Sequence, residues 1–130
     1  VADDTAVAAA LADAGAAAID PATVLGAGGA GLSGGEAQRV AVARALYRAR
    51  VSGVPVLVLD EPSSALDAAT EARLWATLRR EADAGRGVLL VSHRPSARAI
   101  ADRVVELSPP HEAPGMVATG SRAEAREVRS

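Results

Sequence analysis

An apolar run, Val54 to Leu59, stands between Gly53 and the acidic pair Asp60 and Glu61. A run of valine and leucine bounded in this way is typical of a strand that is buried on both faces of its sheet. A second run of the same kind covers Val88 to Val91. Because two such strands need helices on both faces of the sheet, these runs predict a parallel α/β fold.

Helical segments surround the two predicted strands. Capping residues, or a proline in the first turn, predict helices at residues 3–14, 33–50, 67–83 and 95–101. Residues 104–107 and 116–119 flank a proline-rich turn and are predicted to pair as a hairpin at the sheet edge. After them, Ser121 and Glu124 form a capping box that predicts a charged C-terminal helix.

Composition narrows the possible functions. The net charge of −2 and the isoelectric point near 5.7 give no electrostatic footprint for nucleic acid or for an anionic membrane surface. Neither is therefore expected as a direct partner. The chain has no cysteine, which excludes a disulfide framework and a thiolate zinc site. Only 2% of its residues are aromatic, so we expect a core of alanine, valine and leucine.

The start of the second predicted helix is suited to bind an anion. Ser33 caps it, Gly34 and Gly35 leave its first turn without side chains, and Glu36 completes a capping box. The free N–H groups of a helix N-terminus, together with the positive end of the helix dipole, make a phosphate a natural ligand. The alternative is an ordinary well-capped helix, because this serine–glutamate spacing is common.

Polar residues follow both predicted strands. Asp60 and Glu61 follow the first strand, and His93 comes two residues after the second. The carboxyl ends of parallel strands are the usual ligand-binding edge of an open α/β sheet. Two adjacent carboxylates favour a cation, and magnesium suits a carboxylate together with phosphate oxygens and water. The alternative is that one carboxylate caps the next helix, the other is solvated and the histidine is structural.

Three glycines, Gly26, Gly28 and Gly31, match the pattern of a dinucleotide-binding loop and precede a helix. That pattern requires a strand directly before it and an acidic residue about 20 positions later, at the end of the next strand. Asp60 lies well beyond that distance, and no strand is predicted before the glycines. We therefore interpret them as a loop in an alanine- and glycine-rich segment.

Taken together, these segments resemble the catalytic half of an ATP-binding cassette (ABC) ATPase. The segments that match the family's motifs are, in chain order, Leu32–Glu36 with Gln38 and Arg39 for the signature motif, Val56–Asp60 for Walker B, Glu61 for the catalytic glutamate, Ser64–Asp67 for the D-loop, and Ser92 with His93 for the switch histidine. The resemblance implies part of a P-loop NTPase-like parallel sheet flanked by helices, preceded by part of a helical subdomain.

By this resemblance, ATP and Mg²⁺ are the cofactors. Asp60 would help to hold Mg²⁺, Glu61 would polarise the attacking water, and His93 would contact the γ-phosphate. A second ABC ATPase domain would be the partner in a head-to-tail dimer. The residues that would bind its ATP or lie at the dimer interface are Ser33, Gly34, Gly35, Glu36, Gln38 and Asp67.

The same resemblance divides the chain into three parts. Residues 1–50 would be the remainder of the helical subdomain with the signature helix, residues 51–108 the catalytic α/β portion, and residues 109–130 a hairpin strand and a short, partly flexible helix. All 14 basic residues are arginines, so the sequence contains no P-loop lysine. We therefore expect a fragment or a truncated form of the domain that is inactive in isolation.

Within the family, the residues around Ser92 to Arg94 resemble exporters, and the glycine-rich lead-in to Gly31 together with Glu36 resembles the thiol-reductant exporters of cysteine or glutathione. This resemblance implies ATP-driven transmembrane export, with a transmembrane domain as a further partner and a position at the cytoplasmic face of the cell membrane. Two alternatives stay open. One is a soluble ABC ATPase that acts on ribosomes or DNA, and the other is a non-hydrolytic remnant that only pairs with an intact cassette.

Overall fold

The computed structural model describes residues 3–23, 31–107 and 125–129, the last segment by its backbone alone. The chain forms two compact units, residues 1–93 and 94–130. The elements of the first unit are, in chain order, α1 (Asp4–Asp13), α2 (Gly34–Ser52), β1 (Val56–Asp60), α3 (Ala68–Asp83) and β2 (Gly87–Val91). Each lies within about two residues of its predicted position, so the local sequence signals for these elements are confirmed.

Strands β1 and β2 pair in parallel, with Val56 opposite Gly87 and Asp60 opposite Val91. Helix α3 connects them, as a parallel pair requires. The mixed helix and parallel sheet that the sequence predicts is confirmed. The first residues of the two strands pair with each other, and so do the last. The carboxyl ends of both strands therefore lie at the same edge of the sheet, and the residues that follow them come close together.

The prediction that both strands are buried on both faces is wrong for the described residues. Leu57 and Leu59 point to one face and are 4% and 5% exposed. The other face is apolar but open to solvent, with exposures of 50% to 64% at the side chains of Val56, Val58, Leu89 and Val91. The physical reason is that the described helices, α2 and α3, cover one face of the sheet and leave the other uncovered.

The core of the first unit is made mainly of leucine and alanine with Val42, in line with the predicted core of alanine, valine and leucine. Leu46 of α2 and Leu74 and Leu78 of α3 are its largest fully buried apolar side chains. Burial of one leucine side chain is worth about 1.5–3 kcal/mol. Trp75 lies with them and is 4% exposed. This core packs α2 and α3 against the sheet and so fixes the start of α2 relative to the ends of the strands.

Ion pairs add a second link between the helices. Arg50 at the end of α2 contacts Asp13 at the end of α1 and Glu81 of α3, each at 2.7 Å. The other carboxylate oxygen of Glu81 lies 2.6 Å from Arg86, in the turn before β2. Arg86 also donates to two backbone carbonyl oxygens near the end of α2 and the start of β1. The four side chains join α1, α2, α3 and the turn before β2 in one network.

The second unit contains α4 (Pro95–Ile100) and an antiparallel pair, β3 (Arg103–Leu107) with β4 (Ala125–Arg129). The predicted C-terminal helix is therefore wrong at residues 125–129. An isolated helix of so few residues is not stable in water, whereas pairing with β3 satisfies the backbone hydrogen bonds of both strands. The predicted hairpin partner, residues 116–119, and the predicted capping box at Ser121 and Glu124 lie outside the described residues.

Candidate functional site

The two strand ends meet at one site. The backbone N–H of Glu61 donates to the carbonyl oxygen of Val91 at 2.9 Å, which extends the ladder of β1 and β2 by one bond. His93 follows two residues later, and its Nδ1 lies 2.8 Å from Oε1 of Glu61. The structure therefore brings together the glutamate and the histidine that the sequence assigned to this edge. The histidine side chain is 80% exposed and can reach a bound group.

Glu61 has an unusual backbone conformation. Its φ is +44°, in the left-handed region, where a residue with a Cβ atom is strained by about 1–3 kcal/mol. The following residue is Pro62, which further disfavours a helical conformation at Glu61. Such strain is often concentrated at functional sites. Among the described residues Oε2 of Glu61 has no hydrogen-bond partner although it is shielded from solvent, and an unpaired buried acceptor of this kind is uncommon in native structures.

Gln38 connects this site to helix α2. Its Nε2 donates to the Glu61 carbonyl oxygen at 2.5 Å, and its Oε1 accepts from the Ser64 hydroxyl at 2.9 Å. The resemblance implies nucleotide binding for Gln38 and no separate site role for Ser64. No local pattern signals this contact, because the partners are 23 and 26 residues away from Gln38.

The N-terminus of α2 has the predicted capping box. The Ser33 hydroxyl accepts from the Glu36 N–H at 3.2 Å, and Oε2 of Glu36 accepts from the Ser33 N–H at 2.8 Å. This backbone hydrogen bond from Ser33 is the main cause that lowers the pKa of Glu36. A Cβ atom at Gly34 would meet open space, whereas one at Gly35 would lie 3.1 Å from the Cβ of Ala65. The first turn is therefore open at Gly34 and packed against the β1–α3 loop at Gly35.

Asp67 has a clear structural role. It caps α3, and its carboxylate accepts from the Thr70 N–H at 2.8 Å and from the Thr70 hydroxyl at 3.0 Å. The backbone hydrogen bond from Thr70 is the main cause that lowers the pKa of Asp67. The side chain is exposed at the surface. This capping role does not test whether Asp67 lies at a dimer interface. That role stays a prediction.

Asp60 is the candidate metal ligand. It is exposed at the end of β1, beside the Glu61–His93 pair. Within residues 3–23 and 31–107 no group of three or more side chains is arranged to hold a metal ion. Mg²⁺ does not need such a group, because it binds through one or two carboxylates with phosphate oxygens and water. One exposed strand-end carboxylate therefore fits the donor set that Mg²⁺ uses with a nucleotide.

A cavity of about 230 Å³ lies elsewhere, between α1, the segment that follows it and α2. Its lining is mainly apolar and includes Leu11, Ile19, Val40 and Tyr47. None of the predicted site residues lines it. The cavity is therefore separate from the candidate site, which is an open edge rather than an enclosed pocket.

Comparisons with known proteins give a consistent result. No protein-family model matches the chain. It is 44% identical, over 102 residues, to the ATP-dependent lipid A-core flippase of Burkholderia orbicola. The match covers 78% of this chain and 16% of that protein, so the chain spans about a sixth of the length of this relative. The chain is thus homologous to ATP-dependent export proteins.

Two solved structures show the same fold. A bacterial Atm1-family ABC exporter with ATP bound superposes with a TM-score of 0.64 at 36% identity, over 80% of this chain and 18% of that one. The dimer of a bacterial ABC transporter cassette superposes with a TM-score of 0.58 at 27% identity, over 78% of this chain and 40% of that one. The predicted fold class, that of the ABC ATPase cassettes, is confirmed. In the described part of the chain, no helix combines the length and apolarity that a membrane crossing needs.

Proposed function

We propose that this chain is the C-terminal part of the ATP-hydrolysing cassette of an ABC exporter. The observation that carries the proposal is the Glu61–His93 pair, held at the shared edge of β1 and β2 and tied through Gln38 to the capped start of α2. The homology to an ATP-dependent flippase and the fold of an ATP-bound exporter support the same assignment. The proposed cofactors are ATP and Mg²⁺.

Glu61 is the proposed general base. Its Oε1 faces His93, and its Oε2 is an acceptor without a partner among the described residues. A carboxylate in this position can take up hydrogen bonds from a water molecule and polarise it for attack on a phosphate. His93 is exposed beside it and would contact the γ-phosphate. Asp60 would hold Mg²⁺, which neutralises phosphate charge when it is bound.

The N-terminus of α2 is the second proposed phosphate contact. Ser33 and Glu36 fix its geometry, and the open position at Gly34 lets a ligand approach the backbone. Free N–H groups at a helix N-terminus suit a phosphate. The phosphate would be that of ATP bound mainly by a second cassette, as expected for a head-to-tail dimer. That one of the similar structures is a cassette dimer supports this arrangement.

The remaining partners follow from the same proposal. A transmembrane domain would carry the transported compound, and the cassette would lie at the cytoplasmic face of the membrane. The proposal covers export in general and does not name the transported compound. The relative described above is named for lipid A-core, and the narrower prediction of a cysteine or glutathione exporter stays a prediction that rests on the glycine-rich lead-in to Gly31 together with Glu36.

ATP hydrolysis tests the proposal directly. The chain by itself, which lacks a lysine, is expected to hydrolyse no ATP. Combined with a polypeptide that supplies the P-loop half of the cassette, it should restore turnover. Glu61→Gln should then lower that turnover by about 10²- to 10⁴-fold, the usual contribution of a general base.

An exposed carboxylate away from the site provides the control. Asp83→Asn, at the end of α3, should leave turnover unchanged. If the combined polypeptides hydrolyse ATP equally well with Glu61→Gln, the catalytic assignment is wrong. If they form a complex but hydrolyse no ATP with the unmodified chain, the chain is a non-hydrolytic remnant.

A further inference from the structure

Both ends of the Gln38 side-chain amide are hydrogen-bonded within the chain. One end of its side-chain amide donates to the carbonyl oxygen of Glu61, and the other end accepts from the hydroxyl of Ser64. These two partners lie on the loop that follows β1, whereas Gln38 lies on α2. The side chain is half-buried. These are the contacts of a residue that restrains its neighbours.

The residue that Gln38 fixes is the strained one. Glu61 keeps a φ of +44°, which an unrestrained chain would leave because of its cost. Its N–H is bound by Val91 and its carbonyl oxygen by the Ser64 N–H, at 2.9 and 3.2 Å. The hydrogen bond from Gln38 adds a restraint from a different element. The direction of the Glu61 carboxylate, which faces His93, therefore depends on where α2 lies.

Helix α2 connects Gln38 to the candidate anion site. Gly34 and Gly35 lie four and three residues before Gln38, one turn away on the same side of the helix. A helix turn with intact hydrogen bonds moves as a rigid piece. The capping box of Ser33 and Glu36 keeps this turn intact. A displacement of the α2 N-terminus therefore reaches Gln38, and through it the carbonyl oxygen of Glu61.

We propose that Gln38 is a positioning residue that links the α2 N-terminus to the orientation of the Glu61 carboxylate. The role of this link in ATP hydrolysis rests on the proposed function. The α2 N-terminus would contact the nucleotide held mainly by a second cassette, while Glu61 would act at the other nucleotide site. Gln38 therefore makes the geometry at one nucleotide site depend on the occupancy of the other.

The first test needs no nucleotide. Gln38→Met keeps the length of the side chain and removes both hydrogen bonds. In the 130-residue chain we expect a changed N–H to Hα coupling constant at Glu61, which reports φ. We also expect amide exchange at Glu61 and Ser64 to be roughly 2- to 10-fold faster, the factor for loss of one ordinary hydrogen bond. Exchange at Leu57, in the middle of β1, should not change.

One control and one second test variant complete the first test. Arg44→Met makes a similar change on the exposed side of α2 and should leave the coupling constant of Glu61 unchanged. Gln38→Glu keeps an acceptor for the Ser64 hydroxyl but, when ionised, cannot donate to Glu61, so it should behave as Gln38→Met does at Glu61. Gln38→Glu also serves if Gln38→Met does not fold. An unchanged coupling constant and exchange rate at Glu61 in the folded variant would overturn the proposal.

The second test uses the assembled ATPase, that is, this chain with the polypeptide that supplies the P-loop half. Gln38→Met should lower kcat by roughly 10- to 100-fold, as misplacement of a catalytic group does, and leave the KM for ATP nearly constant. Loss of a nucleotide ligand would instead raise KM. A raised KM with unchanged kcat would contradict the positioning role.

The two proposals fail in different ways. If Glu61→Gln leaves turnover intact, the proposed function is wrong, whatever Gln38→Met does. If Glu61→Gln abolishes turnover while Gln38→Met keeps the full kcat, the proposed function holds and the positioning role of Gln38 is wrong.

Discussion

Glu61 shows how one residue combines strain and chemistry. Its left-handed backbone precedes a proline, and its carboxylate lies against His93. Hydrogen bonds from Gln38 and Ser64 to its carbonyl oxygen, and from its own N–H to Val91, hold this conformation. The fold thus maintains a conformation that costs free energy locally, and the result is a fixed direction for a carboxylate at the sheet edge.

A pair of substitutions at Glu61 measures that cost. Glu61→Gly and Glu61→Ala both remove the carboxylate, but only glycine adopts a φ of +44° without steric penalty. We expect the glycine variant to be the more stable of the two by about 1 kcal/mol, somewhat less than the full left-handed penalty because glycine is also more disordered when unfolded. Urea unfolding followed by circular dichroism gives the difference. Equal stabilities would limit the left-handed penalty at Glu61 to the entropic cost of glycine, about 0.5–1 kcal/mol.

The sequence predicts the residues of this site better than their contacts. The capping box of Ser33 and Glu36 depends on a spacing of three residues and is visible in the sequence alone. The two strand ends follow from the apolar runs and the rule for parallel sheets. The contact of Gln38 with Glu61 depends instead on how α2 packs against β1, and no local pattern contains that information.

At the scale of elements, the segment that follows α1 contacts α3 closely at one glycine. Gly15 follows α1 with a φ of +74°, and a Cβ atom placed on it would lie 2.3 Å from Cγ2 of Thr70, in the first turn of α3. We expect Gly15→Ala to lower the free energy of unfolding by about 2–4 kcal/mol, as the sum of the left-handed penalty and the cost of overpacking. Thermal or urea unfolding measures this loss.

Two matched variants separate the causes. Gly85 has a φ of +91°, and a Cβ atom there would have no neighbour within 4 Å. Gly85→Ala should therefore cost only the backbone penalty, about 1–2 kcal/mol. Thr70→Ser removes Cγ2 but keeps the hydroxyl that donates to Asp67, so it should recover part of the stability lost in Gly15→Ala. If Gly15→Ala and Gly85→Ala lower the free energy of unfolding equally, the close contact with Thr70 does not affect stability.

The elements also show where sequence patterns stop being sufficient. The helix limits follow from caps and glycines, which are local signals. The apolar runs of β1 and β2 correctly predict strands, but the exposure of Val58 and Leu89 depends on which elements cover the sheet. The segment Ala125–Arg129 carries helical signals before it and is nevertheless a strand, because pairing with β3 outweighs the weak preference of a short helix.

Two observations on the whole molecule agree with each other. One face of the sheet is apolar and uncovered, and the relatives are much longer than this chain. A sheet face with Val56, Val58, Leu89 and Val91 exposed is larger and more continuous than the scattered apolar residues of ordinary surfaces. The chain also covers only a small part of the proteins it resembles. Under the proposed function, this face would be covered in the complete cassette.

Within the described chain, an ion-pair network links three helices. Arg50 lies between Asp13 and Glu81, and Glu81 is only 7% exposed. Arg50→Met removes both ion pairs and leaves Arg86 as the partner of a nearly buried carboxylate. We expect a loss of about 1–3 kcal/mol in the free energy of unfolding, between the values for exposed and buried pairs because the Arg50 side chain is 31% exposed.

The control for this prediction is a surface pair on the same protein. Arg79 and Asp83 are four residues apart on α3 and lie 2.7 Å from each other, and Arg79→Met should cost less than about 1 kcal/mol. If Arg50→Met and Arg79→Met are equally mild, the network does not hold α1 to α3, and the buried leucines alone account for the packing of the helices.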